Sequence, residues 1–223
     1  TLWSITDAMT KDFGWTDGIN KLYKVLAQDF VYKDPMRNVI FLDNHDISRF
    51  FSVVGEDVTK YKSSINWLLT CRGIPQFYYG GEIGMTGVTS PNDGFVRQDF
   101  PGGWASDPAN KFTDAGRTDK ERAIWNHLAR LANFRKTSSA LTTGRMMQFL
   151  PVDGVYVYFR YDDKQTIMVV MNTAKEKKNV SLGRFAERTN GFTRARNVQT
   201  GAIAPLSEFA LESYDSVVLE LLK

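Results

Sequence analysis

The sequence has one cysteine, two histidines and no long apolar segment, and each scarcity removes a class of protein. A single cysteine, Cys71, excludes an internal disulfide, and its apolar surroundings predict a core residue rather than a nucleophile. No apolar run is long enough to cross a membrane, so no membrane role is expected. The 28 basic and 25 acidic residues nearly balance, and no basic run carries interleaved aromatic residues, so no nucleic-acid binding is expected.

Most of the candidate chemistry lies in one stretch, residues 38–50. Its first part, residues 38–42, is apolar and β-branched, which predicts a buried strand. Its second part brings together polar and ionisable side chains: Asp43, Asn44, His45, Asp46, Ser48 and Arg49. A buried strand that ends in titratable groups is typical of an active site at the C-terminal end of a barrel strand.

The first 80 residues alternate between helical and strand patterns. The predicted elements are helices over 2–13, 18–30 and 60–71, strands over 38–42 and 76–79, and a loop over 50–55. Asp17 is the expected cap of the second helix. This alternation favours parallel strands joined by crossover helices.

Residues 84–117 lose all periodicity and are rich in glycine, proline and aspartate. A loop of this length inside a compact domain is usually functional, although a plain surface excursion is the alternative. Its aromatic residues Phe95, Phe100 and Trp104 favour a lid that faces a sugar. Thr118 or Asp119 then caps a predicted helix through Lys136, in which His127 is expected to be a packing or surface residue rather than a catalyst.

After Leu141 the pattern becomes that of short strands separated by turns. The predicted strands cover residues 146–150, 155–161, 166–172, 178–182, 195–199 and 216–222. Tyrosines alternate with apolar residues over 155–161, which predicts a half-exposed strand. We therefore expect two domains, an α/β part over residues 1–139 and an antiparallel β-sandwich over residues 140–223.

Two motifs resemble the alpha-amylase family of glycoside hydrolases. Residues 41–46, Phe-Leu-Asp-Asn-His-Asp, resemble the family's fourth signature region, and residues 73–85 look like its eighth-strand segment. The order of elements is also similar to that of the family. The predicted all-β domain is preceded by a seventh strand with its helix, an eighth strand, a loop and a last helix. Residues 97–101, Arg-Gln-Asp-Phe-Pro, look closest to neopullulanases and cyclomaltodextrinases. The resemblance implies the C-terminal part of a TIM (β/α)8 barrel, with strands 7–8 and helices 6–8, followed by an antiparallel domain.

The resemblance also implies site roles. The family is retaining, with a carboxylate nucleophile, a carboxylic acid and base, and a third carboxylate that maps onto Asp46 as the catalytic residue of this segment. His45 maps onto a histidine that binds hydroxyls of the same sugar, and Asn44 and Arg49 are weaker substrate-binding candidates. Glu82 occupies a position that looks structural. No cofactor or metal is implied in this segment, and calcium is an option only for a full-length enzyme.

The nucleophile and the acid and base belong to strands four and five of the family, and neither segment is present in the sequence. Cleavage needs two carboxylates that flank the sugar, which Asp43 and Asp46 on one strand end cannot do. We therefore expect the C-terminal portion of an α-glucan hydrolase, active on starch, pullulan, cyclodextrins or maltooligosaccharides only with the missing N-terminal part of the barrel, and inactive alone.

Other interpretations stay open at this point. The chain could be a non-catalytic carbohydrate-binding module, or an interaction fragment in which the β domain is the stable unit. A metal site built from Asp43, His45 and Asp46 is a poorer idea, because neighbouring residues on a strand point in alternate directions. A homodimer is one arrangement left open. The compartment is unknown, with the periplasm or secretion preferred over the cytoplasm.

Overall fold

The computed structural model describes residues 1–223 as helices that surround two short parallel strands, followed by an antiparallel sheet. The helices are α1 (Leu2–Thr10), α2 (Ile19–Leu26), α3 (Phe50–Val53), α4 (Val58–Thr70), α5 (Asp119–Thr137), α6 (Ser139–Thr142) and α7 (Ala186–Thr189). The strands are β1 (Val39–Ile40), β2 (Ile74–Pro75), β3 (Arg145–Gln148), β4 (Val155–Tyr161), β5 (Thr166–Asn172), β6 (Lys178–Val180), β7 (Arg194–Asn197), β8 (Ile203–Pro205), β9 (Phe209–Leu211) and β10 (Ser216–Leu222). None of the helices combines the length and the hydropathy that a membrane span requires.

The parallel pair β1–β2 confirms the predicted βαβ arrangement but corrects the second strand, which was placed over residues 76–79. The ladder uses the amides on either side of Pro75: Ile74 N–H donates to the Asn38 carbonyl at 2.9 Å and Gln76 N–H to the Ile40 carbonyl at 2.8 Å. Pro75 is tolerated because the N–H that it lacks would point away from β1, toward the unpaired edge of β2. The turn before it needs glycine, since a Cβ at Gly73 would lie 2.6 Å from the Asn38 carbonyl oxygen.

Two further local predictions were wrong. Residues 50–53 form the short helix α3 instead of a loop, because the Asp43 carboxylate accepts the Phe50 N–H at 2.7 Å from seven residues away. Helix α2 begins after Gly18 without a side-chain cap, so Asp17 does not cap it. Thr118 does cap α5, with Glu121 completing a capping box as the sequence pattern indicated.

The C-terminal part is a six-stranded antiparallel sheet in the order β3-β4-β5-β10-β7-β8, and the pair β6–β9 forms a second small layer. The six predicted strands lie within two residues of observed ones. Strands β8 and β9 were missed, because each has only three residues and β8 is an exposed edge strand that ends in proline.

Strands β4 and β5 of the large sheet are buried on both faces, so the prediction of a half-exposed strand over residues 155–161 was wrong. Tyr156 and Tyr158 on one face join the same core as Trp67 of α4. Val157 and Phe159 on the other face pack with Leu211 of β9. The helices and one face of the sheet therefore share one continuous core, and the expected boundary near residue 140 stays a prediction.

The C-terminus of α4 is held by two arginines from different elements. Arg160 of β4 is fully buried and donates to the carbonyls of Thr70 and Cys71, both at 2.9 Å, and to that of Gly144 at 3.0 Å. Arg135 of α5 donates to the Leu69 carbonyl at 2.7 Å. Burial lowers the pKa of Arg160 to about 10, so it is still charged at neutral pH and complements the negative end of the helix dipole.

Replacing Arg160 by methionine is expected to lower the free energy of unfolding by about 3 kcal/mol, because buried carbonyls of α4 would lose their donor. The urea-unfolding midpoint measures this loss. Arg145→Met is the matched control on neighbouring strand β3, since Arg145 is exposed and its change is expected to stay within about 0.5 kcal/mol. Equal effects of the two substitutions would contradict the assignment.

His127 lies where α5 meets α4 and the sheet. Its Nε2 lies 2.8 Å from Asn66 Oδ1 and 3.3 Å from the side-chain nitrogen of Gln199. Burial, together with the positive charges of Lys62 and Arg130, lowers the pKa of His127 to about 4. The residue is thus a packing histidine, as predicted, and it is neutral in the folded chain at neutral pH.

This lowered pKa makes the fold acid-sensitive. The unfolded chain binds the His127 proton below about pH 6.5, whereas the folded chain does so only near pH 4. Unfolding therefore takes up a proton in that window, and stability falls by up to about 3 kcal/mol as the pH decreases through it. His127→Gln should flatten this dependence in urea unfolding measured at several pH values. An unchanged slope in the variant would assign the acid sensitivity to other groups.

Candidate active site

Strand β1 delivers four polar residues, Asp43 to Asp46, to the edge where β1 and β2 end together. Asp43 points inward and is buried, with its Oδ2 bound to the Phe50 N–H. Burial raises the pKa of Asp43, and the Phe50 N–H and the charge of Arg49 partly offset this effect. Asp43 thus anchors the loop to α3 and does not face the solvent.

Asp46 points outward and is well exposed. Asn44 Oδ1 accepts the Asp46 N–H at 2.8 Å, which closes a tight side-chain turn around His45. His45 Nε2 lies 3.3 Å from Asp46 Oδ1. The structure therefore brings together Asn44, His45 and Asp46, the three outward residues predicted for the site, with Asn44 in a local structural role.

Arg97, which the sequence reasoning did not include in the site, holds Asp46 from the long loop. Its Nη2 lies 3.2 Å from Asp46 Oδ1 and 2.9 Å from Asp93 Oδ2, and its Nε donates to the His45 carbonyl at 2.8 Å. The four-residue spacing of Asp93 and Arg97 was visible in the sequence, but nothing in it indicated that the loop folds back onto His45. Both protein contacts of the Asp46 carboxylate go to Oδ1, so Oδ2 is open to a ligand.

Arg49 lies beneath the site rather than on its surface. Its side chain is fully buried, its Nη1 donates to the Tyr79 carbonyl, and its Cζ lies 4.2 Å from the centre of the Tyr78 ring. The guanidinium thereby joins the loop after β1 to the segment after β2. This position favours support of the loop, and sugar contact by Arg49 stays a prediction.

The long loop over residues 84–117 makes both aromatic and polar contacts within itself. Phe100 packs on Phe112 with ring centres 4.4 Å apart, and the Trp104 indole N–H donates to Asp99 at 2.9 Å. Phe95 and Trp104 are exposed, as expected of a lid residue that meets a ligand. Tyr79 OH donates to the Gln98 carbonyl at 2.7 Å, which ties this loop to the strand end.

A cavity of about 240 Å³ adjoins the site, with Asp46 in its lining. Its other walls come from the start of α1, from α3 and from Thr89, and Trp3 lies among them. A cavity of about 470 Å³ beside β7, β8, β9 and β10 contains only one carboxylate, that of Asp215, and is lined mainly by apolar residues. The smaller cavity is therefore the one that belongs to the candidate site.

Metal ligands do not cluster in this chain. No group of three histidine, cysteine, aspartate or glutamate side chains is close enough to hold an ion, and Asp43 points away from Asp46 into the core. Calcium therefore has no carboxylate-based site among these residues.

Two parallel strands, a polar loop after the first of them and an antiparallel sheet define the class of the protein as the end of a TIM barrel followed by a C-terminal β domain. The family profile described as "Alpha amylase, catalytic domain" matches residues 11–142, and the profile "Cyclo-malto-dextrinase C-terminal domain" matches residues 146–220. The chain therefore belongs to the alpha-amylase family, and the predicted cyclomaltodextrinase-like character is confirmed.

Relatives and solved structures agree with this assignment. The chain is 28% identical to a cyclomaltodextrin glucanotransferase of Geobacillus stearothermophilus over 87% of its own length and 26% of that protein. It is 32% identical to a cyclomaltodextrinase of Geobacillus thermopakistaniensis (strain MAS1) over 63% of its length and 22% of the relative. An alpha-amylase structure from Geobacillus thermoleovorans, complexed with acarbose, superposes with a TM-score of 0.76 at 22% identity, over 100% of this chain and 46% of that one.

The chain thus spans about a quarter of the length of the curated relatives it matches. The superposition supports the fold, namely part of a TIM barrel followed by an antiparallel sheet, and confirms the predicted fold class.

Replacing Arg97 by methionine is expected to free the loop around Asp46. Amide hydrogen exchange of residues 44–48 and 93–97 should become faster, while global stability changes by less than about 1 kcal/mol, since exposed ion pairs contribute little. Arg37→Met removes a surface ion pair with Asp34 at a distant turn, in which the arginine is more exposed than Arg97, and serves as the control. Unchanged exchange in both loops would show that Arg97 does not hold them.

Proposed function

We propose that this chain supplies the part of the active site of a retaining α-glucan hydrolase that binds the sugar at the cleavage point. In this proposal Asp46 is the third carboxylate, His45 binds hydroxyls of the sugar at the cleavage point, and Asn44 shapes their turn. The observation that carries the proposal is the exposed Asp46 carboxylate, held on one oxygen by His45 and Arg97 and open on the other. Family membership supports the coarser function, glycoside hydrolysis of α-glucans.

The open Oδ2 of Asp46 accepts hydrogen bonds from sugar hydroxyls in this mechanism. As the glycosidic bond breaks, positive charge develops on the sugar ring and its hydroxyls become more acidic, so these bonds strengthen in the transition state. Binding that strengthens in the transition state lowers the barrier, whereas uniform binding does not. Arg97 and His45 fix the carboxylate before the sugar arrives, so no reorganisation is needed at the moment of reaction.

The proposed chemistry needs a nucleophile and an acid and base from outside these residues. Asp43 is buried beneath α3 and is not available as a second carboxylate. We propose that further barrel strands complete the site along the free edges of the β1–β2 pair. The half-exposed side chains of Val39 and Ile74 on these strands support this, because each strand has only one neighbour here.

The experiment that tests the proposal measures binding and cleavage separately. The purified 223-residue chain should bind maltooligosaccharides weakly in a calorimetric titration and should release no reducing sugar above the blank. In a larger enzyme that contains this segment, Asp46→Asn should lower kcat by about 10²–10³-fold or more. Asp163→Asn, an exposed aspartate in the β4–β5 turn, is the matched control and should have no effect.

Release of reducing sugar by the 223-residue chain would contradict the proposal, since it would require a second catalytic carboxylate within these residues. A second candidate function is binding without hydrolysis, favoured by the same buried position of Asp43. A larger protein that contains this segment, releases no reducing sugar and binds maltooligosaccharides more weakly after Asp46→Asn would support this second function instead.

A further inference from the structure

The cavity beside Asp46 contains an exposed tryptophan that the sequence reasoning and the family match leave without a role. Trp3 lies in the first turn of α1, where Leu2 is half-buried and, further along, Ile5 and Met9 are fully buried. The Trp3 side chain is instead 65% exposed. It lines the same cavity of about 240 Å³ as Asp46 and Ile47.

The location of Trp3 differs from that of the other exposed tryptophans, Trp15 and Trp104. Trp15 is 87% exposed, but it lies in the turn between α1 and α2 with Lys24 Nζ 5.1 Å from its ring centre. Trp104 lies in the long loop, and its indole N–H is bound by Asp99. Of these three side chains, Trp3 is the one that lines the cavity beside Asp46.

The cavity has the composition of a small sugar site. Apolar side chains such as Trp3 and Ile47 form its wall, and Asp46, Ser48 and Thr89 bring polar groups to it. The rim is fixed, because the Thr89 N–H donates to Ser48 Oγ at 3.2 Å. Its volume is below the roughly 300 Å³ at which sites for larger ligands begin, so it accommodates a single ring rather than a chain.

The contacts of Asp46 indicate where the cavity lies relative to the sugar that His45 and Asp46 are proposed to bind. His45 and Arg97 both contact Oδ1, and neither of them lines the cavity. The carboxylate therefore stands between the His45–Arg97 cluster and the cavity. A sugar hydrogen-bonded to Asp46 would have a neighbouring ring within reach of Trp3.

We propose that Trp3 is a stacking platform for the glucosyl ring adjacent to the one held by His45 and Asp46, an inference that rests on the proposed function. The C–H face of a pyranose is apolar and flat and covers the indole face, while its equatorial hydroxyls reach the polar rim. Trp3 is thus a binding residue that sets where the next sugar of an α-glucan lies.

The test is a calorimetric titration of the 223-residue chain and its variants with maltotetraose. Trp3→Ala should weaken binding about tenfold, and Trp3→Phe, which keeps an aromatic ring, should weaken it less than about threefold. Trp15→Ala removes an even more exposed indole outside the cavity and should leave the affinity unchanged. The indole NMR signal of Trp3, identified by its loss in Trp3→Phe, should shift on titration, and circular dichroism checks that each variant folds.

Asp46→Asn separates this inference from the proposed function. Weaker binding in both Asp46→Asn and Trp3→Ala, with Trp15→Ala unchanged, supports the stacking platform. Weaker binding in Asp46→Asn alone, with an unshifted Trp3 signal, overturns the platform and leaves the proposed function standing. Affinity that neither substitution changes, or no binding by the unsubstituted chain, overturns both.

Discussion

The arrangement of the molecule depends on how the C-terminus of α4 is held. Its last carbonyls are partnered by guanidinium groups from two other elements, Arg160 of β4 and Arg135 of α5. A buried carbonyl without a donor costs about 1–3 kcal/mol, and a cation near a helix C-terminus is favoured by the dipole. Arg160 has no carboxylate partner, so the helix end itself is its counter-charge. The Arg160 contact therefore joins α4 to the sheet, in addition to the core that the two share.

The fixed end of α4 then sets the position of the site. Residues 71–73 turn directly from α4 into β2, and β2 pairs in register with β1. Strand β1 leads into Asp43, whose carboxylate caps α3, and on to Asn44, His45 and Asp46. Arg49, which follows in the same loop, donates a hydrogen bond to the carbonyl of Tyr79 and so connects this loop to the segment after β2. The outward direction of Asp46 is therefore a consequence of buried contacts on either side of the strand end.

The sequence was sufficient for features that local patterns determine. The capping box at Thr118, the strand over residues 155–161 and the polar cluster after β1 follow from periodicity and from residue chemistry. The sequence was insufficient where a residue or element far away in the chain determines the local structure. Helix α3 exists because Asp43 caps it across seven residues, and β4 is buried on both faces because α4 covers one of them. The role of Arg97 was missed for the same reason, because only the folded loop shows that its side chain reaches Asp46, which is 51 residues away in the sequence.

The two carboxylates of the strand end illustrate why proximity in sequence does not make a catalytic pair. Retaining hydrolysis needs two carboxyl groups about 5–5.5 Å apart on opposite sides of the sugar. Asp43 and Asp46 leave the strand in opposite directions, one into the core and one into the solvent. Burial raises the pKa of Asp43, but its oxygen is committed to the Phe50 N–H and no sugar can reach it. This strand end therefore exposes a single carboxylate, and two carboxylates that flank a sugar would have to come from different strand ends.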